Sequence, residues 1–179
     1  RLGGFELVKE LNVDEFAVKP AKTAVKLLKS AKPPSGQKTV IMDPSISGLF
    51  AHECCGHNSE GDLVAYNESI FANLQGKKIA TDDLTLYDDP TIEDCYGSYF
   101  YDSEGTPAQK KTIIENGVLK TFLHSMETAA LLNETPNGNG RAYLHYNIPI
   151  VRMSNTYFAP GKTQLKDLIE NVKDGIFCR

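Results

Sequence analysis

Lys111-Thr112-Ile113-Ile114-Glu115-Asn116-Gly117-Val118-Leu119-Lys120 sets the fold class. Two β-rich runs, Lys111 to Ile114 and Val118 to His124, flank an Asn-Gly pair, which between apolar runs is among the strongest short-range hairpin signals. A tight hairpin is expected at Asn116-Gly117, and with it antiparallel pairing. Working outward, Ser98 to Tyr101 and Arg152 to Ala159 read as further strands, and Thr39 to Met42 as a short one. Glu104-Gly105-Thr106-Pro107 breaks the first of these from the hairpin.

Helical periodicity surrounds these strands. Phe16, Val18, Ala21, Val25 and Leu28 recur at helical spacing over Asp14 to Lys32, an amphipathic helix started or interrupted near Pro20 and ended by Pro33-Pro34-Ser35-Gly36. Asp43-Pro44-Ser45 opens a second helix, with Ser45 or Ser47 as its cap. Met126 to Leu132 forms a short third. A fourth runs from a Thr163 cap to Phe177 on Leu165, Leu168, Ile169, Val172 and Ile176. Hairpins mixed with helices, without βαβ alternation, define an α+β class: a curved, mostly antiparallel sheet with packed helices. Residues 1–38 read as an N-terminal helical segment and linker, and residues 39–179 as the α+β region that bears the chemistry.

Composition narrows the function classes. The chain has 179 residues, 41% of them hydrophobic, enough for a sizeable core. A formal net charge of -4 and a pI of about 5.6, with no long basic run, argue against a nucleic-acid partner. No apolar run approaches the roughly 20 residues that span a bilayer, so no membrane role is expected. Cys54, Cys55, Cys95 and Cys178 are too few for a disulfide framework in a chain this long, which points to a reduced, cytoplasmic setting. The start at Arg1 and the stop at Arg179, directly after an amphipathic pattern, suggest part of a longer protein.

The second helix carries His52-Glu53-Cys54-Cys55-Gly56-His57. Zinc hydrolases need two or three N, S or O ligands, an open position for water, and a carboxylate to receive that water's proton. Two histidines and a glutamate within six residues supply such parts. The histidines stand five positions apart, however, with four residues between them, and on an ideal α-helix they would diverge by about 140°. Convergence requires either a π-bulge or a helix that ends at Gly56 with His57 on the following turn. The alternative is two separate polar histidines and a solvated glutamate.

Around this motif, Phe50 to Asp62 resembles the signature of the TldD/PmbA family of metallopeptidases, including the trailing Glu60-Gly61-Asp62. Ser103 to Gln109, Ile114 to Lys120, Asn137 to Arg141 and Arg152 to Tyr157 resemble further family motifs in the same order, and the TldD-like branch fits best. The resemblance implies a peptidase acting on short or unfolded peptides, with His52 and His57 on zinc and Glu53 as general base. It implies a third, cysteine ligand from a C-terminal segment outside this chain, and assembly as a homo- or hetero-oligomer with a subunit of the same fold. Such families also include non-catalytic scaffold or peptide-binding subunits without the motif, whereas this chain carries both histidines and the glutamate.

Other residues draw weaker expectations. Glu60 and Asp62 are candidates to accept from the imidazole N–H groups, with a local backbone role as the alternative for Asp62. Cys54 and Cys55 occupy variable positions of the motif and read as packing or inert residues. Cys95 and Cys178 read as small hydrophobes. His124 and His145 read as structural or surface residues, and Asn137 to Arg141 as a surface loop or a Gly-rich lid.

Overall fold

The computed structural model describes residues 3–179. The chain divides into two compact units, Arg1–Lys38 and Thr39–Arg179. The first holds α1 (Phe5–Glu10) and α2 (Val13–Leu27). Asn12 caps α2 by accepting from Glu15 N–H at 3.2 Å. The helix runs through Pro20, which forfeits only one backbone bond, and stops at Leu27, short of Lys32. There the Leu27 carbonyl accepts from both the Ser30 N–H (3.1 Å) and its hydroxyl (2.7 Å).

The second unit begins with β1 (Thr39–Met42) and α3 (Pro44–Phe50). The cap of α3 is Asp43, not Ser45 or Ser47: its Oδ1 accepts from Ser45 N–H at 3.0 Å and Ile46 N–H at 3.1 Å. Pro44 explains the shift, since a residue without an N–H and with φ already helical fits the first helical position. After α3 come a π turn (Ala51–Gly56), a 3-10 turn (His57–Ser59) and α4 (Gly61–Ala65). Then follow β2 (Leu86–Asp88), β3 (Lys111–Glu115), β4 (Val118–Leu119), α5 (Met126–Leu132), β5 (Gly140–Arg141), β6 (Ile150–Val151), β7 (Thr156–Phe158), α6 (Leu165–Asn171) and β8 (Gly175–Cys178).

The class is α+β. A four-stranded antiparallel sheet runs β4-β3-β2-β7, β5 pairs with β6 antiparallel, and β1 pairs with β8 in parallel. The hairpin sits where Asn-Gly places it, with Asn116 at φ 48° and Gly117 at φ 78° and Ile114 opposite Leu119. Gly117 is also sterically required, because a Cβ there would stand 2.3 Å from the Ala80 carbonyl oxygen. Leu86, Ile113, Ile114, Leu119, Phe122 and Leu123 fill the core, and Ala51 and Met153 join them from the motif and the chain opposite it. Ser125 and Thr128 form a capping box that starts α5 at Met126, as expected from sequence.

Several strands and one helix are shorter than their patterns. Ser98 to Tyr101 forms no strand; its groups serve loop contacts, with Tyr99 N–H donating to the Pro90 carbonyl at 3.2 Å and Tyr99 Oη to that of Gly138 at 2.7 Å. Of Val118 to His124 only Val118–Leu119 is strand, and Leu123 instead bridges Glu60. Of Arg152 to Ala159 only Thr156–Phe158 pairs with β2. The helix expected to Phe177 ends at Asn171, and Gly175–Cys178 becomes β8. Val172 is already extended, and pairing with β1 supplies bonds that a frayed helical end would lack.

Candidate metal centre

Ala51–Gly56 is a single π turn continuing α3. Its wider winding solves the spacing problem of the motif. The His57 N–H donates to the His52 carbonyl, five residues back, so the fifth residue returns above the first. The two imidazole centroids stand 4.8 Å apart at 83°, and the ligand atoms of His52, Glu53 and His57 all lie within 4.8 Å of one another. Of the two routes open in the sequence, the structure takes the π turn; Gly56 does not end the helix there.

Gly56 serves a different need. A Cβ at this position would stand 1.9 Å from Met153 Sδ, so the absence of a side chain lets the segment after β6 pack against the π turn. Ala51, Cys55 and Gly56 face the interior, while His52 and Glu53 are exposed and His57 is half-buried.

His57 Nδ1 lies 3.1 Å from Glu60 Oε2. With the proton on Nδ1, the Nε2 lone pair is left for a cation, and the carboxylate fixes the ring. Burial pushes the Glu60 carboxyl above the usual carboxylate range, opposed by this same contact with His57. Asp62 has the local backbone role instead, its Oδ1 accepting from Leu63 N–H at 2.9 Å in α4. Glu53 Oε2 is 3.9 Å from His57 Nε2. Two imidazoles, one oriented by a carboxylate, with a second carboxylate beside them, suit zinc's preference for N and O donors.

The ligand cluster opens on a cavity of about 500 Å³ whose lining includes His52, His57, Tyr96, Arg141, Arg152 and Ser154. A buried polar hub that sequence reading missed holds Ser154 in its lining. Asp88, fully buried on β2, accepts from Ser154 N–H (2.7 Å), Ser154 Oγ (2.7 Å), Thr156 Oγ1 (2.9 Å) and Asn139 Nδ2 (3.0 Å). Lys111 Nζ adds an ion pair at 3.2 Å. Burial lowers the Lys111 amine from its ordinary value, and Asp88 opposes that shift. One signal was available: Lys111 and Ile113 share a strand face, so an inward Ile113 implies an inward lysine in need of an acid.

Asn137 to Arg141 is neither a lid nor a surface loop. Residues 137–140 are buried, with Asn137 Oδ1 accepting from His124 N–H at 2.7 Å and Asn139 gripping the Asp88 hub. Arg141 donates to the Met153 carbonyl and lies 4.9 Å from the centre of the Tyr99 ring. His124 is a buried structural residue, its Nε2 without a hydrogen-bond partner among the described residues; His145 is exposed. Cys54 is exposed and Cys55 buried, with the Cys55 thiol pushed up to about 11 by burial first and Cys54 second. A thiol held that high is a poor nucleophile at neutral pH.

Residues 35–179 match the PmbA/TldA metallopeptidase C-terminal domain, and the chain belongs to that family. A metalloprotease of Methanocaldococcus jannaschii is 46% identical over 176 residues, 98% of this chain and 39% of that protein. A zinc metalloprotease TldD homolog of Saccharolobus solfataricus is 35% identical over 167 residues, 93% of this chain and 37% of that protein. The chain thus spans under two fifths of the length of these curated relatives. Among solved structures, TldE from Thermococcus kodakarensis superposes with a TM-score of 0.69 at 27% identity, over 88% of this chain and 37% of that one. A Thermotoga maritima protein described as a proposed modulator of a DNA gyrase gives 0.73 at 29% identity, over 90% of this chain and 36% of that one. No helix among the described residues is long and apolar enough to cross a membrane.

Proposed function

We propose that this chain is the catalytic core of a zinc-dependent peptidase that hydrolyses short or unfolded peptides, with His52 and His57 as metal ligands and Glu53 as general base. The observation that carries this reading is the π turn that draws both imidazoles and the Glu53 carboxylate within 4.8 Å of one another. Relatives named metalloproteases, one of them a zinc metalloprotease, support it.

His52 and His57 would hold the ion, with a third ligand, a cysteine, expected from a segment outside this chain. When bound, zinc supplies Lewis acidity, lowering the pKa of water towards about 7. Glu53, its Oε2 3.9 Å from His57 Nε2, would take a proton from the attacking water and return it to the departing amine. Glu60 holds the His57 ring through the 3.1 Å contact. An extended peptide fits the open cavity, and oligomeric assembly with a subunit of the same fold would complete the enzyme.

The test is zinc content and peptide hydrolysis of the full-length protein beside His52→Ala, His57→Ala and Glu53→Gln. The histidine variants should lose zinc. Glu53→Gln should keep it while hydrolysis falls by about 10²–10⁴-fold, the usual span for a lost general base. Full activity in Glu53→Gln would remove the base assignment, and full zinc in both histidine variants would remove the site.

A further inference from the structure

The cavity beside the ligand cluster carries two guanidinium groups, and among the described residues only one of them is hydrogen-bonded. Arg141 donates to the Met153 carbonyl and stacks over Tyr99. Arg152 is exposed, and among the described residues no hydrogen bond or ion pair engages its guanidinium; its charge reaches the Glu60 carboxyl only through space, favouring the ionised form. Its backbone is fixed on both sides by the buried Asn139: Arg152 N–H donates to the Asn139 carbonyl at 3.0 Å, and Asn139 Nδ2 donates to the Arg152 carbonyl at 2.9 Å. Asn139 in turn is bound to Asp88. A solvent-facing arginine on so fixed a backbone is presented to the cleft from one direction.

Arg152 also borders a second hollow, of about 480 Å³, lined by Tyr143, Tyr146, Ile148 and Ile150. These are large side chains left open: Tyr143 is 81%, Tyr146 71% and Ile148 84% exposed. Tyr143 and Arg152 belong to both hollows, so the two adjoin. A cation at the junction of the metal cavity and an apolar depression matches a ligand with an anion and an apolar group on adjacent atoms. The C-terminal residue of a peptide has that form, because its carboxylate and side chain leave the same Cα. An internal acidic residue does not, because its side chain is itself the anion. Arginine's planar fork suits a carboxylate by paired N–H···O bonds.

We propose that Arg152 anchors the C-terminal carboxylate of the peptide substrate while the Tyr143–Ile150 hollow takes that residue's apolar side chain. This makes the chain selective for peptides with a free, apolar C-terminus, and it rests on the peptidase reading above. The anchor lies on this chain, whatever completes the zinc site.

Binding separates the two. Fluorescent tetrapeptides ending in Phe, as free acid and as amide, and an amidated one ending in Glu are titrated by anisotropy into zinc-free full-length protein, so that no metal competes for the carboxylate. The expected result is that the Phe acid binds at least tenfold tighter than either amide. Arg152→Gln should abolish that preference, and Arg152→Lys, which keeps charge without the fork, should retain part of it. Tyr146→Ala should weaken the Phe acid more than an acid ending in Ala. Equal binding of acid and amide, no binding of either, or tight binding of the Glu amide would overturn the anchor. Cleavage by the zinc-loaded wild type of a peptide blocked at both ends reports separately on the peptidase reading; if that peptide is cut while acid and amide bind alike, only the anchor falls.

Discussion

The π turn and the Asp88 hub meet at one cavity, whose lining includes His52, His57 and the hub's Ser154, and are built on opposite principles. The turn displays its polar groups: His52 and Glu53 are exposed and lightly bonded, and their order comes from backbone winding. The hub hides its polar groups, with Asp88 at 0% and Lys111 at 4% exposure, and its order comes from a carboxylate that accepts from four hydrogen-bond donors and a cation. Groups that must bind something else are left in water, where leaving them unpaired costs little. Groups that only hold the wall are buried, where an unpaired charge is expensive and the geometry is therefore strongly specified.

On that division, the hub should be the more fragile partner in stability and the turn in metal affinity. The largest effect is expected from Asp88→Ala, which strands the Lys111 charge and should cost about 3–5 kcal/mol in denaturant unfolding. Adding Lys111→Met should recover part of the loss; no recovery would mean that the charge is not what the hub holds. Gly56→Ala comes next, at about 1–3 kcal/mol, because Met153 must leave its packed position. Pairing it with Met153→Ala should relieve the clash and return zinc binding towards wild type.

Glu60→Ala should reverse the pattern, lowering zinc affinity by about 10–100-fold in a chelator competition with little change in unfolding free energy. A larger loss of stability than of affinity would move Glu60 to the structural side of the comparison. The smallest effect concerns pH. Burial holds the His124 imidazole below its ordinary 6.5, so its stabilising contribution is complete above pH 6.5. That contribution is lost as pH falls from there through the lower folded value, since the unfolded chain takes the proton first. The melting temperature should therefore drop more steeply below pH 6.5 in the wild type than in His124→Gln.

The same contrast explains which features are legible in the sequence. Local signals survived: the Asn116-Gly117 hairpin, β1 and the α5 start are each set by a few adjacent residues whose backbone preferences nothing in the tertiary structure opposes. The His52–His57 spacing limited the turn to two routes without choosing between them, and the Met153 packing on Gly56 that accompanies the π turn is a contact distant in sequence. Of the hub, the strand pattern marks only the inward Lys111; its partners stay hidden, since Asp88, Asn139 and Ser154 meet it only once separate segments are in register. At the C-terminal end, Leu165 to Ile176 satisfies a helical period throughout, yet pairing with β1 claims its last residues. Periodicity alone has no term for a strand partner at the far end of the unit.

That pairing bears on the order in which the molecule assembles. β1 and β8 come from opposite ends of the second unit, and every other element of that unit lies in the loop they close. Closing so long a loop costs entropy that only prior collapse of the intervening chain reduces, which puts the β1–β8 pair late in folding. Asp43, the cap of the helix that carries the histidines, donates its N–H to the Cys178 carbonyl at 2.9 Å. The foundation of the ligand cluster is thus tied to the last strand to arrive. On the proposed reading, a nascent or partly folded chain would have no finished metal site, and competence would be reserved for molecules whose sheet is already closed.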